Sequence, residues 1–197
     1  MRQTREEKVQ RILRAAATVL AEKGYDNATI KEIAREAEVN WGLLHYYFKD
    51  KEDLVVQALE FASNEILQST SQLFSAGRSP EETVDGAIDL LKKNYRENPG
   101  FYKLLFEMWC ASGRSKKIKT ELIGCLNRII ASLQIDLDKI LNSTVAGSRT
   151  PDSRGLASLI IAISDGLAFQ LILETHKIHD EKIWQLFRSV VLGLLLS

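Results

Sequence analysis

Residues 29–53 read TIKEIAREAEVNWGLLHYYFKDKED, and their spacing decides the fold. Thr29 and Glu32 stand three apart, as a capping box requires: the hydroxyl accepts from the Glu amide, and the Glu carboxylate reaches back. Ile30, Ile33, Ala34 and Ala37 then recur three or four apart, on one helix face. Glu38-Val39-Asn40 breaks the pattern. Asn40 is a good N-cap, so a second helix starts at Trp41. Leu44 and Phe48 point inward at i and i+4, and Asp50 caps the next helix. Two short helices joined by a tight turn form a helix-turn-helix, whose second helix enters the DNA major groove.

That second helix, Trp41-Gly42-Leu43-Leu44-His45-Tyr46-Tyr47-Phe48, is unusual in what it leaves outside. With Leu44 and Phe48 in the core, four aromatics and Leu43 share the remaining faces. Such a surface suits water poorly and DNA well. Tyr hydroxyls donate to phosphates, His45 bonds a base edge, and Leu43 touches a thymine methyl. Gly42 costs helix stability but admits a close partner. The competing reading packs the aromatics between small helices; it is stronger for Tyr47 and Phe48 than for His45 and Trp41.

The segment resembles the DNA-binding domain of the TetR family of one-component transcriptional regulators. Gly24-Tyr25, Ala28-Thr29, Ile33-Ala34 and the run from Gly42 to Leu54 carry the resemblance, over the first quarter of the chain. Asn40 fits the small hydroxyl or amide residue usual before the recognition helix, whereas Trp41 departs from the small or polar residue usual there. The resemblance implies an all-α fold of about nine helices. Residues 1–50 form a three-helix DNA-binding domain, and residues 51–197 a larger domain for effector binding and dimerisation. It implies a palindromic double-stranded operator, a small-molecule effector that releases a repressor, and a homodimer through the last two helices. The DNA contacts expected are Thr29, Lys31, Asn40, Trp41, Gly42, Leu43, His45, Tyr46, Tyr47 and Lys51, with Lys51 on a phosphate.

Composition agrees with this class. The chain has 197 residues, of which 45% are apolar, enough for a real core, and three prolines suit a helical chain. Formal net charge is zero, so any nucleic-acid surface depends on local placement of cations. Cys110 and Cys125 have no metal-ligand spacing and are expected as reduced thiols. The N-terminus is charged and amphipathic rather than secretory, and no apolar run approaches the roughly 20 residues that span a bilayer. A cytoplasmic protein with no cofactor, no metal and no membrane partner is expected.

In chain order, the first helix runs from about Thr4 to Lys23, with Gly24 ending it. Arg2, Arg5 and Lys8 at its start oppose the helix dipole. A nearby phosphate backbone explains that placement, and a frayed, solvated terminus is the competing reading. A helix from Asp50 to about Phe74 follows, then a break at 75–78. Ser79-Pro80-Glu81-Glu82 is a strong start signal for a helix that stops at Asn98-Pro99-Gly100. Further helices are expected from Phe101 through Cys110 to an end near Ser112-Gly113, and over Ser115–Asn142, Leu156–Glu174 and Asp180–Leu196, with a loop over 143–153.

The last two helices are apolar nearly all round, so each is buried on more than one side, and the outer side meets a second subunit. A membrane-surface helix is the rival, but only Lys182 and Arg188 would supply its cationic face. For the effector site the expected lining is Phe101, Tyr102, Leu105, Phe106, Met108, Trp109, Asp165 and Phe169. Tyr102, Leu105, Phe106 and Trp109 share one helix face, which should turn inward. Acids near it would lose hydration unless paired, favouring a positively charged, partly apolar ligand. Plain core packing competes at each of these positions. No catalytic constellation is expected: Cys110 lacks a histidine partner, and His176-Lys177-Ile178-His179 lacks a third ligand. A helical protein-binding scaffold and, more distantly, an all-α enzyme are the alternatives, and sequence-selective DNA binding separates them.

Overall fold

A computed structural model describes residues 4–71, 79–144, 152–173 and 181–196. Among them are nine helices and no strand: α1 (Arg5–Asn27), α2 (Ile30–Glu36), α3 (Trp41–Tyr47), α4 (Lys51–Ser71), α5 (Pro80–Glu97), α6 (Pro99–Ser112), α7 (Lys116–Thr144), α8 (Ser153–Leu173) and α9 (Glu181–Leu196). The all-α expectation holds. The break at 75–78, most of the loop over 143–153, the His176–His179 stretch, Arg2, and the helix ends expected at Phe74, Glu174 and Asp180 lie outside the described residues.

Short polar side chains set the helix starts. Thr4 with Glu7, Thr29 with Glu32, and Ser79 with Glu82 each form a complete capping box. Asn40 accepts from the Gly42 amide at 2.9 Å. Asp50 accepts from the Asp53 amide at 2.7 Å, while the Asp53 carboxylate accepts from the Lys49 amide at 3.0 Å. Ser115 accepts from the Ile118 amide, and Asp152 from the Arg154 amide. Each satisfies a donor that a helix start leaves open. Several boundaries differ from expectation: α8 begins at Ser153 rather than Leu156, and α7 runs to Thr144 rather than Asn142, into the expected loop. α6 begins at Pro99 rather than Phe101, because proline at a first helical position loses no internal bond. Gly24 breaks α1 where the first helix is expected to end, with φ +76° and ψ 167°, a conformation open to glycine, and a short further turn runs on to Asn27.

The chain divides into two compact units, residues 1–66 with 100–126, and residues 67–99 with 127–197. In the first, Ile12, Ala16 and Leu20 of α1, Ile33 of α2, Leu44 of α3, Leu54 and Leu59 of α4, Leu104 and Met108 of α6, and Ile118 of α7 form one buried cluster. In the second, Ile88 and Tyr95 of α5, Leu137 of α7, Leu156 and Leu167 of α8, and Trp184, Phe187 and Leu195 of α9 are buried. Tyr95 donates its hydroxyl to the Ser164 carbonyl at 2.7 Å, and its ring lies 5.7 Å from that of Trp184. A buried phenol is thereby satisfied while its ring packs.

Candidate nucleic-acid interface

The turn between α2 and α3 is closed by its own backbone. Ala37 N–H donates to Ile33, Val39 N–H to Ala34, and Glu38 N–H to Arg35. Glu38 takes φ +51°, the left-handed conformation that lets three residues reverse the chain. Leu44 and Phe48 are buried, as their spacing requires, which fixes the rotation of α3 about its axis.

That rotation sorts the expected DNA contacts. Thr29, Lys31, Asn40, Gly42 and His45 are exposed, Trp41 is 53% exposed, and Tyr46 is 72% exposed. Leu43 and Tyr47 are half-buried. The rings pair edge to face: Trp41 with His45 at 5.4 Å, and the exposed Tyr46 with the half-buried Tyr47 at 5.1 Å. The pairing orders rings that water alone would leave free to rotate. Among the described residues, no carboxylate pairs with the exposed Lys31, Arg35 or Lys49. So cations are left unneutralised on α2 and just after α3 despite zero net charge. Arg35 and Lys49 were not singled out from sequence, where exposed cations on any helix look alike.

Lys51 is placed differently from a bare phosphate anchor. Its ammonium donates to the Tyr25 and Asp26 carbonyls and lies 4.7 Å over the Tyr25 ring. Burial holds its pKa below the usual lysine value. The side chain ties the end of α1 to the start of α4, and any phosphate must share an ammonium already donating twice. Around it, bonds from α6 and α7 reach the same corner. The Glu107 carboxylate accepts from the Tyr25 amide at 3.1 Å and lies against Gly24. Arg114 pairs with Asp26 at 2.9 Å, Lys117 with Asp53 at 3.3 Å, and Ser115 bonds Glu52. Periodicity carries no signal for bonds between positions this far apart in the chain.

The eight residues expected at an effector site are not gathered in one unit. Phe101 to Trp109 belong to the first unit, Asp165 and Phe169 to the second. Tyr102 and Met108 are buried, whereas Trp109 is 66% exposed. The inward turn expected of the Tyr102-Leu105-Phe106-Trp109 face therefore fails at Trp109. A helix packed through Tyr102, Leu104, Met108 and Ala111 buries a stripe rotated away from it. Asp165 is half-buried, and burial pushes its pKa up to about 6. The second unit holds an apolar cavity of about 50 Å³ lined by none of the eight. Its walls are Val84, Ile88 and Leu91 of α5, Leu133, Leu137 and Ile140 of α7, Ile160 of α8, and Phe187, Val191 and Leu195 of α9, with Thr83 and Ala87. The Thr83 hydroxyl donates to the Ser79 carbonyl, so the lining offers apolar contact. Among the described residues no cluster of three metal-ligating side chains occurs, and no helix is long and apolar enough to cross a membrane.

Comparison with known proteins bears on the same segment. Residues 12–58 match the family described as bacterial regulatory proteins, tetR family. The HTH-type transcriptional regulator YuxN of Bacillus subtilis (strain 168), itself uncharacterised, is 28% identical over 160 residues. These are 80% of this chain and 53% of YuxN, so the chain spans about half the length of that relative. The HTH-type transcriptional regulator HbdR of Aromatoleum sp. (strain CIB) is 44% identical over 55 residues, 28% of this chain and 24% of HbdR. A crystal structure from Pseudomonas aeruginosa PAO1 superposes with a TM-score of 0.82 at 19% identity, covering 98% of this chain and 93% of that one. At that identity the likeness speaks for the fold.

Proposed function

Because this chain belongs to the TetR family of bacterial regulatory proteins, we propose that it is a homodimeric DNA-binding transcriptional repressor, released from a palindromic operator by a small-molecule effector. In this reading residues 1–50 read DNA and residues 51–197 regulate. The observation that carries it is the exposed face of α3: Trp41, His45 and Tyr46 stand outside while Leu44 and Phe48 anchor the helix. His45, Leu43 and Trp41 take the base edges. Thr29, Lys31, Asn40, Gly42, Tyr46 and Tyr47 take the backbone, with Lys51 supporting the corner.

Dimerisation is supported by what α8 and α9 leave uncovered. Leu159, Phe169 and Leu173 of α8 and Leu186 and Val190 of α9 are exposed apolar side chains. Gly166 and Gly193 have open space where a Cβ would be, which suits close approach of a second helix pair. For the effector, the apolar cavity among α5, α7, α8 and α9 supports an apolar ligand over the cationic one expected from sequence, since no carboxylate lines it. At about 50 Å³ it must widen to admit a ligand site of several hundred Å³. Effector binding shifts DNA affinity only by its differential affinity for the two states.

The test is selection from a randomised duplex pool, with binding then measured by fluorescence anisotropy. A palindromic consensus is expected, and His45→Ala should relax preference at a base position while leaving the salt dependence unchanged. Wild-type protein that enriches no sequence would sink the reading. Thermal-shift screening of apolar against cationic compounds, with Ile88→Trp filling the cavity as control, separates the effector chemistries.

A further inference from the structure

We propose that Arg5, seated on the Tyr47 ring, is a phosphate-binding residue that extends the DNA footprint from α3 to the start of α1. The inference rests on the DNA-binding reading above and adds a contact outside the helix-turn-helix. The Arg5 guanidinium carbon lies 5.6 Å from the centroid of Tyr47, so the first residue of α1 meets the last residue of α3. Arg5 is exposed, and among the described residues no carboxylate pairs with it.

The helix terminus does not explain the placement. The α1 cap is already complete: the Glu7 carboxylate accepts from the Thr4 amide at 2.9 Å, and the Thr4 hydroxyl accepts from the Glu7 amide at 3.2 Å. A cation in the first turn is disfavoured by the helix dipole, which prefers the acids Glu6 and Glu7 there. Arg5 therefore sits where it gains nothing from its own helix. What it gains is an aromatic platform. A guanidinium held over a ring by cation–π attraction keeps its fork of N–H donors, which a bidentate acceptor can take. Phosphate has that geometry. The half-buried Tyr47 thus has two roles, holding Arg5 by its ring and offering its hydroxyl to the same backbone. Lysine would supply charge without the planar fork.

The experiment uses the full-length protein and two probes: the duplex that wild type selects from a randomised pool, and a scrambled duplex of equal length. Affinity is measured across a potassium chloride series. Arg5→Ala should weaken binding to both probes by a similar factor. It should also lower the slope of log affinity against log salt by about 0.9 per subunit, about 1.8 for a dimer, with the selected consensus unchanged. Arg5→Lys should keep the slope yet bind less tightly than wild type. Tyr47→Leu should weaken binding in the Arg5 protein and have a smaller effect in the Arg5→Ala background. Arg5 is exposed, so an unchanged unfolding midpoint serves as the folding control. An unchanged slope in Arg5→Ala, or a changed consensus, overturns the assignment while leaving the DNA-binding reading intact. A wild-type protein that selects no duplex overturns both.

Discussion

Gly24 shows how much one residue carries. At φ +76° and ψ 167° its backbone is in a region that side chains avoid, and a Cβ there would come within 2.9 Å of the Glu107 carboxylate. That carboxylate accepts the Tyr25 amide. Gly24→Ala should destabilise the protein by about 1–3 kcal/mol in urea titration, from backbone strain alone. A variant as stable as wild type would contradict the strain. Asp165 makes an opposite kind of statement. Burial raises its pKa from 3.8 to about 6, so the folded state resists its ionisation. The sign follows: the carboxyl is not penalised below pH 3.8, and stability is lost as pH rises through about 6. Asp165→Asn should melt higher than wild type at neutral pH, with the difference shrinking as pH falls through 6 and gone near 3.8. Equal melting at neutral pH would show the carboxyl to be solvated. Glu32 runs the other way, held at about 2 by Lys23 and then by Thr29, so its contribution is present above 4.5 and fades only toward 2.

Among the helices, the α2–α3 pair is the element most open to test. Three backbone bonds close its turn, and Glu38 pays for the reversal with φ +51°. Glycine adopts that conformation without the Cβ penalty of about 1–2 kcal/mol. Glu38→Gly should therefore hold or raise stability by up to about 1 kcal/mol, the gain being reduced by glycine's greater unfolded-state freedom. A loss larger than that in chemical denaturation would mean that the exposed Glu38 carboxylate carries a contact of its own. Asn40 is the companion case, because its side chain accepts the Gly42 amide. Asn40→Ala should cost about 1 kcal/mol and weaken binding to every duplex, since α3 frays from the end that carries Trp41.

For the whole molecule, the question is what covers α8 and α9. Val190 is 40% exposed, with Leu186 beside it on the same helix. Val190→Glu should leave the helical circular-dichroism signal in place, because the residue is not in the subunit core. Across a dimer interface the same change buries an unpaired charge, so the variant should sediment as a monomer. A Val190→Glu protein that remains dimeric at micromolar concentration places the interface elsewhere. The monomeric variant should also bind the selected duplex far more weakly, because one recognition helix reads only a few base pairs.

Local chemistry was legible from the residues alone. Cap residues, glycine and heptad-like spacing act within one or two turns, so Thr29, Asn40, Asp50 and Ser79 announced their helices, and Leu44 and Phe48 announced the inward face of α3. The surplus apolar surface of α8 and α9 was also visible, because an amphipathic count needs no partner. Contacts between distant positions were not. That Glu107 would meet Tyr25, that Lys51 would turn to the Tyr25 and Asp26 carbonyls, and that Arg5 would reach Tyr47 depend on how helices pack. The location of the cavity belongs to the same class. Its walls come from α5, α7, α8 and α9, each contributing residues whose spacing reads only as core. A stripe of apolar residues tells which face is buried, whereas whether that face closes tightly or leaves a void is settled by side chains arriving from other helices.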